Sequence, residues 1–170
     1  MLQQIKRKLD DMRTIRTLAE AAERHANAAG EREPGPEHFL LAAFDLPDGL
    51  AQRAFVRLGV DPGSIRAAIA AQHGAALAHT GTDPALLADD APVPPATGVY
   101  RAKGSMQGVM QQLAAWPRAT PAEPLTGAHV LAVIASSAHG TAARTLRALG
   151  LDGERVTAAA RAEIAGYRAV

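Results

Sequence analysis

Six histidines, one Ser-Ser pair and a few glutamates are the residues in this sequence whose types could do chemistry. His25, His38, His73, His79, His129 and His139 could ligate a metal or move protons, but none has the His-x-x-x-His or His-Glu-x-x-His spacing that sets two ligands on one helix face. No metal site is expected. His38 and His129 each fall in the first turn of a helix, where a ring bonds a backbone group or packs under the preceding loop, and that structural role is favoured for both. Ser136-Ser137 beside His139 offers a nucleophile and a base, yet residues this close in sequence seldom reach triad geometry, and no Gly-x-Ser-x-Gly elbow is present. A helix-end cap is expected there. Glu20, Glu23 and Glu37 could act as paired acids, but Arg16 and Arg24 stand near the first two on the same helix, which favours solvated ion pairs. There is no Gly-x-x-x-x-Gly-Lys-Ser/Thr loop to hold nucleotide phosphates. No catalytic residue and no cofactor is expected, and the chain reads as a non-enzyme.

The elements that position these residues are foreshadowed by composition. The 170 residues carry 18 Lys+Arg against 17 Asp+Glu, with 48% hydrophobic residues, only 4% aromatics and no cysteine. A chain of this length fits one domain that buries roughly 70% of the surface its unfolded form exposes. With so few aromatics, the core must be built from Ala, Leu, Val and Ile, which favours closely packed helices. The lack of cysteine excludes disulfides, thiolate catalysis, iron–sulfur clusters and cysteine-containing zinc sites. A formal net charge of +1 supplies no general field for nucleic acid. The charged N-terminus lacks the apolar core of an export signal, and the most apolar run, Val130 to Ala138, falls far short of the ~20 residues that span a bilayer. A soluble, cytoplasmic protein without membrane contact is expected.

Apolar residues at spacings of three and four predict a first helix to about Ala29, stopped by Gly30. Further helices are predicted over Glu37–Asp45, Leu50–Leu58 and from Asp61-Pro62 to about Gly74, and after a Pro-rich linker at about 88–104 over Ser105–Trp116, Gly127–Ser137, Thr141–Leu149 and Gly153–Tyr167. Asp83-Pro84 could open one more short helix, and no segment reads as a strand. Self-comparison finds a repeat at an offset of 91 residues. Gly35-Pro36-Glu37-His38-Phe39-Leu40 then overlies Thr126-Gly127-Ala128-His129-Val130-Leu131. Without a gap, the same offset pairs Gly49 with Gly140, Ala51 with Ala142, Arg53 with Arg144, Gly59 with Gly150 and Asp61 with Asp152. The pairs sit at helix ends and buried-looking positions, so the repeated object is a packing unit. His38, Gly49, Gly59, His129, Gly140 and Gly150 are its structural positions.

The residues Gly35 to Ala43, with Asp48-Gly49-Leu50-Ala51, Arg57-Leu58-Gly59-Val60-Asp61, its second copy Ala148-Leu149-Gly150-Leu151-Asp152, and the chain end Ile164-Ala165-Gly166-Tyr167, resemble the Clp N-terminal domain. This is the double Clp repeat at the front of the ClpA, ClpB and ClpC unfoldases. The resemblance covers about residues 12 to 168. It implies an all-α domain of two four-helix repeats related by a pseudo-twofold axis: repeat one at about 12–75, repeat two at about 105–168, and a helical extension at 1–11. It also implies a module that binds substrates, adaptor proteins, cyclic peptide antibiotics or phosphorylated arginine, with ATP hydrolysis left to other domains. In relatives that read phosphoarginine a Glu of each repeat faces the guanidinium; Glu37 matches in the first, whereas Ala128 takes the equivalent place in the second, leaving at most one such site. The Phe-Thr-x-Arg-Ala motif that opens each family repeat is absent.

The expected ligand contacts are therefore Glu37 for a cationic group and Leu18, Tyr100, Met106 and Val109 for apolar ones, along the groove between repeats. Trp116-Pro117 reads as a core plug and helix stop. Leu2, Ile5, Leu9 and Met12 form an apolar stripe that is expected to complete the core, with a partner-docking face as the alternative. The expected function is a peptide- or protein-binding adaptor, competitor or decoy for a Clp ATPase; the docking domain of a ClpC-type ATPase is an alternative. A regulatory protein touching nucleic acid through Lys6-Arg7-Lys8 is a third reading, disfavoured because the cluster lacks aromatic interleaving and is diluted by Asp10 and Asp11.

Overall fold

A computed structural model describes residues 1–81 and 104–168, and these contain eight α-helices and no strand. They are α1 (Leu2–Ala28), α2 (Pro36–Asp45), α3 (Leu50–Arg57), α4 (Ser64–His79), α5 (Gly104–Ala115), α6 (Gly127–Ala135), α7 (Thr141–Ala148) and α8 (Gly153–Arg168). The protein is all-α. The 91-residue offset carries α2, α3 and α4 onto α6, α7 and α8, and the end of α1 onto α5. Tyr100, the proposed Asp83-Pro84 helix and the linker up to residue 103 lie outside the described residues.

Packing follows the same symmetry. α2 lies against α6 at the centre, while α3 packs on α8 and its counterpart α7 packs on α4. Each repeat thus lays an outer helix against the other, while within the repeats α6 packs extensively on α8 and α2 only slightly on α4. The two central helices are buried almost all round, α2 from Glu37 to Phe44 and α6 from Gly127 to Ala135. Helices apolar on every side belong inside a core. The aromatic share is small: Phe44 and Phe55 meet edge to face at 4.7 Å, and Phe39 is buried with them.

Helix ends repeat as faithfully as the helices. After α3, Gly59 adopts φ +75°, its N–H bonds the Val56 carbonyl, and the Val60 N–H reaches back to Phe55. After α7, Gly150 at φ +73° does the same with Arg147, and Leu151 with Leu146. Such a stop needs a residue without Cβ in the left-handed region, which explains this glycine pair. One stop signal misleads: α4 runs through Gly74 to His79, because one glycine costs only about 1 kcal/mol inside a helix.

The N-terminal stripe departs from expectation. α1 is one uninterrupted helix, but Leu2, Ile5, Leu9 and Met12 do not complete the core; they are 84%, 52%, 51% and 64% exposed. The opposite side of the helix faces the body. There Asp11 accepts the Leu125 N–H at 2.8 Å and lies 3.5 Å from the Arg118 guanidinium, and further along Leu18, Ala21 and Ala22 are buried.

Candidate functional site

Each repeat is keyed by its histidine. His38 is the third residue of α2, and its Nδ1 accepts the Gly35 N–H at 3.0 Å; His129 in α6 accepts the Thr126 N–H on Nδ1 at 3.2 Å. Because Nδ1 is the acceptor, Nε2 carries the proton in the neutral ring. In repeat two that proton points at buried Glu123, whose Oε1 is 3.0 Å away. The other Glu123 oxygen accepts the Ala119 N–H at 2.7 Å. Trp116 stacks edge-on against His129 at 5.5 Å, with the Arg161 guanidinium 5.4 Å above its ring. In repeat one Nε2 lies 3.9 Å from Glu31, which is 3.5 Å from His73. Glu31, Glu37 and His38 can offer three ligand atoms within 4.8 Å of one another, the donor set of a small metal site. The bond from Gly35 opposes that use: it keeps the Nε2 lone pair protonated, and a metal ligand must present a bare nitrogen.

The two repeats are joined by carboxylates that sequence reasoning missed. Asp48, in the loop between α2 and α3, accepts the Leu50 N–H at 2.9 Å and the Gly127 N–H at the start of α6 at 3.0 Å. Glu163 on α8 is buried and lies 2.9 Å from Arg53 Nε and 2.8 Å from Arg57 Nε on α3. The offset already marks both positions as exceptional, since His139 is the counterpart of Asp48 and Gln72 that of Glu163.

That difference decides where a cavity opens. At the seam closed by Asp48, Gly127 is so close to Ala43 that a Cβ would stand 2.5 Å from its carbonyl oxygen and 3.3 Å from the Ala51 Cβ. At the opposite seam the counterparts are Pro36, with no N–H to offer, and exposed His139. A cavity of about 270 Å³ lies there. Apolar Val109, Val133, Ile134 and Ala142 line it together with polar Gln112, Ser137, His139 and Thr141, and Pro36 and buried Glu37 contribute from repeat one. A larger cavity of about 640 Å³ lies between the α6–α7 turn and α8, and it belongs to repeat two alone.

Of the residues expected to contact ligand, Glu37 and Val109 meet in the inter-repeat cavity. Leu18 and Met106 do not line it: both are 1% exposed and sit in the core. Leu18 is the repeat equivalent of Val109, and the closed seam is what buries it. The Glu37 carboxylate folds back beside Gly35, with Oε1 3.6 Å from His38 Nδ1, at the N-terminus of α2 where the helix dipole favours negative charge. The serines behave as caps, Ser136 Oγ bonding the Val133 carbonyl at 2.7 Å and Ser137 Oγ the His139 carbonyl at 3.1 Å. Glu20 accepts a 2.8 Å hydrogen bond from Arg16, and that bond and charge hold the guanidinium above its ordinary pKa. Trp116 follows the last residue of α5.

Residues 12–89 match the family described as Clp repeat (R) N-terminal domain. Over those residues the chain is similar to a Clp N-terminal domain. The match ends before α5, so the likeness of residues 104–168 to it rests on the 91-residue offset and on the correspondence of their helices with α2 to α4. Domains of this family are non-catalytic protein-interaction modules. No curated protein matches the sequence. Among the described residues, no helix is long and apolar enough to cross a membrane.

Proposed function

We propose that this chain is a non-enzymatic module of the Clp protease system, held in the cytoplasm, that binds a peptide or protein segment at the seam between its repeats. The observation supporting this reading is the asymmetry of the two seams: one is sealed by Asp48 and Gly127, the other holds a cavity that Glu37 helps to line. A largely apolar lining with one carboxylate among its residues suits a side chain with an aliphatic stem and a cationic tip, as in a lysine- or arginine-bearing segment. Such a module acts as an adaptor, competitor or decoy, sequestering substrates, adaptors or Clp-targeting cyclic peptides; the same cavity serves if the domain is borne by a ClpC-type ATPase. Direct titration with degron peptides, adaptor proteins and cyclic peptides tests this. Glu37→Gln is expected to weaken binding of basic peptides about tenfold while sparing neutral ones. Absence of binding by any of these ligands would sink the proposal.

A further inference from the structure

The exposed stripe of α1 shares no residue with the cavity and has a form of its own. Leu2, Ile5, Leu9 and Met12 follow the three-four spacing of coiled-coil seam positions, two per heptad. The helix cannot turn this stripe inward. Asp11 and Leu18, on the opposite side, tether it to the body through Leu125, Arg118 and the core. In that heptad frame Lys6, Lys8 and Arg13 take the positions flanking the seam, where partner charges meet. All three side chains are exposed, and among the described residues Lys6 and Lys8 have no carboxylate partner.

These charges select the occupant. A second copy would set Lys8 against Arg13 in a parallel pair, or lysine against lysine in an antiparallel one, so self-pairing is repelled in both directions. A membrane-lying helix needs a broad apolar face with aromatic anchors, whereas this seam is narrow, lacks aromatics and is followed on the same side by Arg16 and Glu20. We infer that the first three turns of α1 are half of a heterotypic coiled coil, docking a partner helix with an apolar seam flanked by Glu or Asp.

The test uses the full chain and two three-heptad peptides with leucine seams, one flanked by Glu and the other by Lys, followed by fluorescence anisotropy. The Glu peptide is expected to bind at least about tenfold tighter than the Lys peptide. The Ile5→Asp/Leu9→Asp double variant, altered at exposed positions that leave the fold intact, is expected to lose that binding. The Lys6→Glu/Lys8→Glu/Arg13→Glu triple variant is expected to invert the preference. Failure of both peptides to bind, or equal binding by both, overturns the inference. So does concentration-dependent dimerisation by light scattering, which assigns the stripe to a second copy, or binding to phosphatidylserine vesicles without peptide binding, which assigns it to a lipid surface. None of these outcomes depends on Glu37 or the cavity.

Discussion

Repeat two buries the acid partner of its histidine where repeat one leaves it partly exposed, although both are laid on corresponding helices. In repeat two, Glu123 is 3% exposed and bonds His129 at 3.0 Å, and Trp116 closes over the ring. In repeat one the acid partner is Glu31, its side chain 28% exposed, 3.9 Å from His38 and shared with His73. The outer helices differ in the same sense. α8 buries Val156, Ala159, Ala160, Glu163 and Ile164, whereas α4 buries Ile65 and Ile69. Repeat two also supplies most of the lining of the inter-repeat cavity, to which repeat one contributes Pro36 and Glu37. Duplicated scaffolds can thus divide labour without changing their packing plan.

The sharpest break in this comparison is truncation of the two histidines. His129→Ala leaves the buried Glu123 carboxylate without its ring partner, and breaking a buried pair costs about 3–5 kcal/mol. His38→Ala is expected to cost about 1–3 kcal/mol, because water reaches Glu31 once the ring is gone. Urea unfolding of both variants measures the difference, and equal losses would mean that the two keys are energetically alike.

Next in size are the glycines of repeat two whose counterparts in repeat one are prolines. Gly127 corresponds to Pro36 and Gly153 to Pro62. A Cβ on Gly127 would meet the Ala43 oxygen at 2.5 Å, and one on Gly153 the Ala135 oxygen at 2.1 Å. Both obstacles are backbone, so the helices must part. Overpacking of this kind costs about 1–3 kcal/mol, more than the helix propensity an alanine returns. Gly127→Ala and Gly153→Ala are expected to lower the thermal midpoint. Gly74→Ala on α4, with open space around it, should raise it.

Periodicity and helix-end residues made the eight helices legible, and the repeat offset made their pairing legible. Gly59 and Gly150 could be read because a left-handed stop leaves a residue-type signature. Leu18 could not be placed correctly, because an apolar residue on a groove-side helix looks the same in sequence whether the groove is open or closed there; Met106 sits on α5 beside the open cavity but is buried in the core. The deciding residues are one offset away: Asp48 against His139 and Gly127 against Pro36. Leu2, Ile5, Leu9 and Met12 misled for a related reason, since seam spacing records that a stripe exists but not which side of the helix the body occupies. Glu163 carried no local signal, being fixed by Arg53 and Arg57 far along the chain, and Asp48 has a local partner in Leu50 but nothing nearby that points to Gly127.

Asp48 provides the finest test. One of its oxygens caps α3 through Leu50 and the other caps α6 through Gly127, so a single side chain serves both repeats. Asp48→Ala removes both acceptors and is expected to cost about 1–2 kcal/mol, the worth of an N-cap. Asp48→Asn keeps one acceptor oxygen but turns an amide N–H₂ toward the other backbone donor, and should fall between the two. The seam that Asp48 closes is the counterpart of the one that holds the cavity. Loosening it should therefore leave peptide binding at Glu37 unchanged while hydrogen exchange rises at the Leu50 and Gly127 amides. If exchange rose around Glu37 instead, the two seams would be mechanically coupled, and the division between a sealed and an open side would fail.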